Sequence, residues 1–325
     1  MTAPEDRGQT KHRQTSGHNA TRPSHFTLRA WWAILKRVYS ESQEDRVMLV
    51  AAGGAFYLLL ALFPALAAFV SLYGFVADPT TIADQIAFLG GLLPRGGLEI
   101  IEAQLDALAS QDPDRLSLGF AIGLAVALWS ANTGVKTLFD AMNIAYEEPE
   151  RRSFLKLNLA SGMFTLAAML IGVLMLLAVG IVPAVLAFLR LDAWAEVLIW
   201  LGRWPLLLVF IVTGISLLYR FGPNREPANW RWLSPGAVVA TLVWIACSIG
   251  FSWYLQNFAN YNATYGSLGA VIGFMIWTWL SVLILLIGAE LNAEMERQTA
   301  RDTTTGEPKP MGERGAYVAD TVARD

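Results

Sequence analysis

The chain has 325 residues, of which 54% are hydrophobic and only 16% are charged, and its net charge is −3. Soluble domains carry about a quarter charged residues, so this composition excludes an ordinary soluble domain and indicates a multi-pass membrane protein. The single cysteine, Cys247, excludes an intrachain disulfide. All three histidines precede residue 26, which leaves the apolar part without a histidine for a catalytic triad or a zinc site. We expect no cofactor and no metal ion.

The N-terminal region is polar, and a helical pattern follows it. Residues 1–25 contain no apolar stretch of the kind found in signal peptides, so we predict a disordered cytoplasmic tail. Residues 27–43 place Trp31, Leu35 and Val38 on one helical face and Lys36 and Arg37 on the opposite face. This pattern is typical of a helix that lies at the membrane surface.

Six apolar segments are long enough to cross a bilayer, which needs about 20 apolar residues. They cover residues 47–76, 116–131, 157–189, 195–221, 235–258 and 268–291. Pro64 interrupts the first segment and is a candidate hinge. We therefore predict an all-α fold, a polytopic membrane helix bundle with six transmembrane helices, in a membrane domain that covers residues 26–296.

The longest connection, between the first two spans, has a helical pattern of its own. Residues 80–111 contain two amphipathic stripes, separated by the sequence "GLLPRGG". We predict an amphipathic helical hairpin on the outer side of the membrane. Both a packed loop and a lid over the bundle fit this pattern.

Connections that are rich in lysine and arginine alternate along the chain with connections that are poor in them. The segment before the first span, the connections after the second and fourth spans, and the C-terminal segment are rich in basic residues, and the remaining connections are poor in them. By the positive-inside rule, both termini lie in the cytoplasm. Residues 297–325 are predicted to be a second disordered cytoplasmic tail.

Charged residues cluster near the cytoplasmic ends of three predicted spans. Lys136 and Asp140 follow the second span one helical turn apart, Arg220 ends the fourth, and Glu290 and Asn292 lie at the end of the sixth. An ionisable side chain inside the bilayer costs roughly 2.5 kcal/mol or more, so we expect these residues to meet in one cluster. The cluster is either an interhelical lock or the wall of a polar cavity that opens to the cytoplasm.

Pairs of glycines four residues apart predict close helix packing on two spans. Gly119 and Gly123 form such a pair on the second span, and Gly269 and Gly273 form one on the sixth. Small residues at this spacing let helix backbones approach each other.

Five ordered blocks of the sequence resemble the YihY/BrkB family of bacterial inner-membrane proteins. They are "AAGGAFYLLLALFPAL", "LWSANTGVKTLFDAMNIAYEEPERRSFLKLNL", "LYRFGPN", "SPGAVVATLVW" and "FANYNATYGSLGAVIGFMIWTWLSVLILLIGAELNAE". The residues that resemble the family's pattern are Trp129, Ser130 and Asn143 in the second block and Gly266 and Glu290 in the last. With these, the candidate cavity residues are Trp129, Ser130, Lys136, Asp140, Asn143, Arg220, Glu290 and Asn292.

The resemblance implies a membrane location but no agreed activity. Family members are described as virulence or serum-resistance factors and as transporters with links to envelope lipids, and they carry an old ribonuclease label. A ribonuclease needs basic grooves and clustered acids, which this sequence does not offer, so we expect neither an enzyme nor a nucleic-acid partner. We predict a transporter or lipid-translocating protein whose partners are membrane lipids. The alternative is an envelope scaffold that binds envelope proteins or a second copy of itself.

Overall fold

A computed structural model describes residues 18–73, 118–189, 193–257 and 268–323. Across these ranges the regular structure is helical, apart from one isolated antiparallel bridge between Ala228 and Thr304. The predicted all-α class is therefore confirmed. The predicted outer hairpin, residues 80–111, lies outside the described residues.

Eight α-helices are described, preceded by a 3-10 turn at Pro23–His25. They are α1 (Leu28–Glu44), α2 (Val47–Tyr73), α3 (Leu118–Ala145), α4 (Phe154–Leu189), α5 (Ala193–Phe221), α6 (Trp230–Asn257), α7 (Leu268–Arg297) and α8 (Tyr317–Asp320).

The amphipathic helix α1 begins where the sequence predicts it. Thr27 is its N-cap, and the Thr27 hydroxyl accepts a hydrogen bond from the Ala30 amide at 3.2 Å. Ala30, Ile34 and Val38 of α1 are buried against the rest of the protein, and Trp31 packs partly against the same cluster. Leu35 is exposed, and the position of α1 at the membrane surface stays a prediction.

Helix α2 packs against α3 and α7, α7 also packs against α6, and further contacts join α3 to α4 and α5 to α6. The largest hydrophobic cluster contains Phe139 and Met142 of α3, Tyr219 of α5 and Leu286 of α7. A second hydrophobic cluster joins Ile34 of α1 to other buried residues.

Several helices are long and apolar enough to cross a membrane. Within the described ranges these are Phe154–Ile171, Trp230–Leu255 and Val271–Arg297. A fourth span is obtained if Leu28–Glu44 and Val47–Leu62, which meet at 62°, are counted together. Exposed apolar side chains such as Leu159, Met163 and Leu170 on α4 have the chemistry of a lipid-facing surface.

The C-terminal segment differs from the predicted disordered tail. Residues 298–323 fold over one end of the bundle, where the Ala300 amide donates to the His18 carbonyl and the Asn229 amide donates to the Thr303 carbonyl, both at 2.9 Å. The buried guanidinium of Arg314 donates to the Ala319 carbonyl at 2.6 Å. Polar composition predicted disorder, but these backbone groups find partners in other parts of the chain. We call this the capped end of the bundle: the end covered by residues 18–25 and 298–323.

Candidate functional site

An apolar cavity of about 420 Å³ opens between α2, α3, α4 and α7. Its wall contains Leu58, Ala61 and Leu62 of α2, Ala131 and Val135 of α3, Thr165, Ala168 and Met169 of α4, and Phe274, Trp277 and Thr278 of α7.

Polar groups in the cavity wall already have partners. The Thr278 hydroxyl donates to the Phe274 carbonyl and the Thr165 hydroxyl donates to the Ser161 carbonyl, both at 2.9 Å. The Trp277 indole N–H donates to the Ser248 hydroxyl at 3.1 Å. The wall therefore offers mainly hydrocarbon surface, which suits an aliphatic chain better than a polar solute.

At the capped end, one arginine joins three elements. The Arg297 guanidinium lies 2.9 Å from a carboxylate oxygen of Glu147 and of Glu294 and 3.0 Å from one of Glu41. Glu294 also pairs with Arg37 of α1. These ion pairs hold α1 and the connection after α3 against the end of α7.

Glu290 lies one turn before Glu294 on α7 and is 2% exposed. Its carboxyl group is within hydrogen-bonding reach of Asp45, in the connection between α1 and α2. No N–H or hydroxyl group of the described residues donates to its buried Oε1 atom. Glu290 therefore faces another carboxyl group rather than a cation.

Asn143, near the end of α3, holds two connections together. Its amide donates to Glu150 at 2.9 Å, and its carbonyl oxygen accepts from the Asn224 amide at 2.7 Å. Burial acts to raise the pKa of Glu150, but hydrogen bonds from Arg152 and Asn143 outweigh burial and lower it. Asn143 thus has a structural partner on each side.

A buried ion pair lies beside this connection. Arg225 is bidentate to Glu296, at 2.7 and 3.1 Å, and both side chains are at most 2% exposed. The Thr303 hydroxyl donates to the same carboxylate, and the Tyr146 ring lies 5.0 Å from the guanidinium. Burial alone would lower the pKa of Arg225, but Glu296 raises it, so the arginine stays charged.

The structure does not bring the predicted charged residues into one cluster. Lys136 donates to Asn158 at 3.0 Å and lies 5.1 Å above the Trp129 ring. Arg220 donates to the Ala228 carbonyl and stacks on Trp230.

The helical phase of α3 explains this difference. Asp140 is exposed and Ser130 is half-buried, since Phe139 and Met142 occupy the face of α3 that enters the core. Among the predicted residues, Glu290 and Asn292 share one end of α7, but each has its own partners.

Of the predicted packing glycines, Gly273 does not lie at the close crossing that the structure describes between α6 and α7. A methyl group added at Gly273 would meet Leu255 at an ordinary 3.6 Å, whereas one added at Gly288 would lie 2.9 Å from Ala240 Cβ and 3.0 Å from the Gly236 carbonyl. Of the remaining candidates, Pro64 lies in α2, Gly119 and Gly123 in α3, and Gly269 in α7, while Gly266 lies outside the described residues.

The profile of the family described as virulence factor BrkB matches residues 38–312. The chain belongs to the BrkB family. The resemblance predicted from the sequence is thereby confirmed. The BrkB match extends from within α1 through α7 and into the C-terminal segment, so it includes the cavity, Asp45, Glu290 and Arg297.

Relatives of this BrkB protein are named in two ways. The ribonuclease-like protein YfkH of Bacillus subtilis is 30% identical over 277 residues, 82% of this chain and 96% of that protein. A UPF0761 membrane protein of Nitrosospira multiformis is 27% identical over 256 residues, 78% of this chain and 58% of that protein. Another, from Pseudoalteromonas translucida, is 23% identical over 282 residues, 84% of this chain and 88% of that protein. No solved structure matches. The chain is therefore a membrane protein of the BrkB family.

Sequence reasoning missed several residues that organise the capped end. Asp45, Tyr146 and Arg225 lie in or next to connections, where no helical period marks them. The sequence does indicate that the α7 residues act together. Glu290, Glu294 and Arg297 follow one another at spacings of four and three, which places them on one face of a helix.

Proposed function

We propose that this BrkB-family protein is a six-span protein of the bacterial inner membrane that binds the acyl chains of membrane lipids and moves lipids between leaflets. The observation that carries the proposal is the apolar cavity between α2, α3, α4 and α7. A volume of about 420 Å³ falls in the range of ordinary ligand pockets, roughly 300–1,000 Å³. A wall of satisfied polar groups and hydrocarbon surface favours a lipid chain as the ligand.

The position of the cavity along the helices supports a lipid ligand. Leu58 and Thr165 lie 11 residues after the first residues of α2 and α4, Val47 and Phe154. At about 1.5 Å per residue this corresponds to roughly 16 Å, about half the thickness of a hydrocarbon core of about 30 Å. If the helices begin at the membrane surface, the cavity lies near the midplane, where an acyl chain ends.

The proposed topology places the capped end in the cytoplasm, with both termini. The basic connections and both described terminal segments lie at this end. Helix α1 supports an interfacial position there, because Leu28, Trp32 and Tyr39 are exposed beside Arg29 and Lys36. Six long helices, α2 to α7, then serve as the six spans.

We further propose that the chain is not a ribonuclease, although one relative is named ribonuclease-like. Four arginines at the capped end, Arg37, Arg152, Arg225 and Arg297, are paired with carboxylates and so are not available to a phosphate backbone. Purified protein should leave tRNA intact. Cleavage that persists through several columns and is lost on one substitution in this chain would contradict this.

Two neighbouring alanines on α4 provide a matched test of lipid movement. Both side chains are exposed, but Ala168 lines the cavity and Ala167 does not. Ala168→Phe should fill part of the cavity, and Ala167→Phe should add the same ring outside it. The proteins are reconstituted in vesicles with a fluorescent phospholipid, and leaflet exchange is measured by quenching from outside.

We expect wild type and Ala167→Phe to accelerate exchange and Ala168→Phe to lose at least tenfold of that acceleration. Lipid retained by each purified protein is measured by native mass spectrometry and should fall only in Ala168→Phe. Wild-type exchange no faster than that of empty vesicles would contradict the proposal and favour an envelope scaffold. Equal exchange by the two variants would show that the cavity is not the lipid path.

A further inference from the structure

A pair of carboxyl groups joins the start of α2 to the end of α7. Glu290 on α7 is 2% exposed, with its Oε1 atom buried and lacking a donor among the described residues. Asp45, two residues before α2, is half-buried, and its carboxyl group is within hydrogen-bonding reach of Glu290. Two ionised carboxylates cannot hydrogen-bond to each other, because each has only acceptor oxygens.

The charges around this pair do not neutralise it. Glu41 and Glu44 of α1, Glu294 of α7 and Glu147 after α3 add negative charge, and the Tyr146 hydroxyl is also nearby. The cations that face the same region are Arg297, bound to Glu41, Glu147 and Glu294, and Arg37, bound to Glu294 and Gln298. Six carboxyl groups thus face two guanidinium groups, and neither guanidinium pairs with Asp45 or Glu290.

We propose that Asp45 and Glu290 form a proton-binding site that holds one proton between them at neutral pH. A shared proton supplies the missing donor, and like-charged carboxyl groups in contact favour this arrangement. A metal ion fits less well, because the described residues contain no group of three or more His, Cys, Asp or Glu side chains placed to hold one. The proton enters from solution at the half-buried Asp45 and passes to Glu290, and no other bond changes.

Loss of this proton leaves two negative charges in contact at the junction of α2 and α7. The resulting repulsion acts on the two helices that supply Leu58, Ala61, Phe274 and Trp277 to the wall of the apolar cavity. Protonation of the pair therefore couples to the spacing of the helices that enclose the lipid chain. Only this coupling rests on the proposed function; the proton site itself does not.

Infrared difference spectroscopy of the purified full chain tests the site directly, because a protonated carboxyl group has a C=O band distinct from that of a carboxylate. Wild type should show this band at neutral pH and lose it as the pH is raised. Glu290→Gln should lack the band. Asp45→Asn should shift it, because the hydrogen-bond partner becomes an amide. Glu313→Gln, at an exposed residue of the C-terminal segment, should leave the band unchanged.

Thermal unfolding provides a second readout with a definite sign. A proton held more tightly in the folded state stabilises it at low pH, and this contribution is lost as the pH rises through the folded-state pKa. The wild-type midpoint should therefore fall over the pH range in which the band disappears, and the Glu290→Gln midpoint should not.

Absence of the band from wild type at neutral pH would overturn the proposal, as would a band that both Asp45→Asn and Glu290→Gln leave unaltered. If Glu290→Gln does not fold, the shift expected in Asp45→Asn still decides the question. If vesicles show no lipid exchange but the band behaves as expected, the proton site stands and the lipid function fails. If the infrared band behaves as expected but the rate of lipid exchange does not change with a pH gradient, only the coupling between the proton site and the cavity is overturned.

Discussion

The side chain of Asn292 on α7 is hydrogen-bonded to the backbone of Gly236 on α6. Its Oδ1 atom accepts from the Gly236 amide at 2.9 Å, and its Nδ2 atom donates to the Leu233 carbonyl at 3.1 Å. Pro235, between these two residues, has no N–H group to give to the helix. A side chain of the neighbouring helix therefore adds two hydrogen bonds to the α6 backbone, one on either side of this proline.

Replacing Asn292 should destabilise the protein. Asn292→Leu removes both of these buried hydrogen bonds, each of which contributes about 0.5–1.5 kcal/mol to stability. Asn292→Asp can still accept from Gly236 but cannot donate to Leu233, so its effect should be intermediate. Denaturant unfolding in mild detergent measures both. If Asn292→Leu proves as stable as wild type, water or a local shift satisfies the α6 backbone instead.

Glycine substitutions should separate the observed helix crossing from the predicted one. Gly288→Ala and Gly236→Ala place a methyl group against the backbone or side chains of the facing helix, so each should cost about 1–3 kcal/mol. Gly273→Ala and Gly250→Ala are the matched controls on the same two helices, because the added methyl group meets only an ordinary contact or open space. Helix propensity should make these controls neutral or stabilising by up to about 1 kcal/mol.

The glycines at the observed crossing of α6 and α7 could not be predicted from the sequence alone. Gly269 and Gly273 satisfied a spacing rule, but spacing does not specify which face of α7 meets α6. Gly236 forms a small-residue pair with Ala240, but Gly288 has no small residue four positions away, so their contact depends on the crossing point of two helices. That point follows from tertiary packing, which a local pattern does not contain.

The sequence likewise predicts that a helix exists but not which side chains of other helices its residues contact. Long apolar runs predicted the helices, since each run satisfies its own backbone. The partners of Lys136 and Glu290 were predicted wrongly because spacing fixes which residues share a face of one helix, not how that helix is rotated against another. Asp45 was missed because a connection has no period, and the folded C-terminal segment was missed because its partners are distant in sequence.

The buried pair of Arg225 and Glu296 should be sensitive to loss of either partner. Arg225→Ala leaves the Glu296 carboxylate buried without its cation, and breaking a buried pair in this way costs about 3–5 kcal/mol. Replacing both residues, as in Arg225→Met with Glu296→Leu, should recover most of that loss. Arg151→Ala, at an exposed arginine, is the control and should change stability by less than about 0.5 kcal/mol. A double variant less stable than Arg225→Ala would contradict the expected coupling.

The C-terminal segment should detach from the capped end in acid. Burial acts to raise the pKa of Asp302, but hydrogen bonds from the Lys309 and Thr304 amides and the Thr304 hydroxyl outweigh it and lower that pKa. A carboxyl group whose pKa is lowered by folding stabilises the fold above its unfolded value, about 3.8, and loses this contribution as the pH falls through the folded value.

Glu148, which accepts from the Tyr317 amide at 2.6 Å, acts in the opposite direction. Burial raises the pKa of Glu148, so its protonation as the pH falls favours the folded state and does not release the segment. Cleavage of residues 298–323 by an acid protease should therefore begin only in the acid range below about pH 3.8, the ordinary value for aspartate. Asp302→Asn should allow cleavage throughout this range, because the charge that holds the turn is absent, whereas Glu148→Gln should keep the wild-type profile. A wild-type segment that is cut equally well at neutral pH by a protease active there would show that these contacts do not hold it.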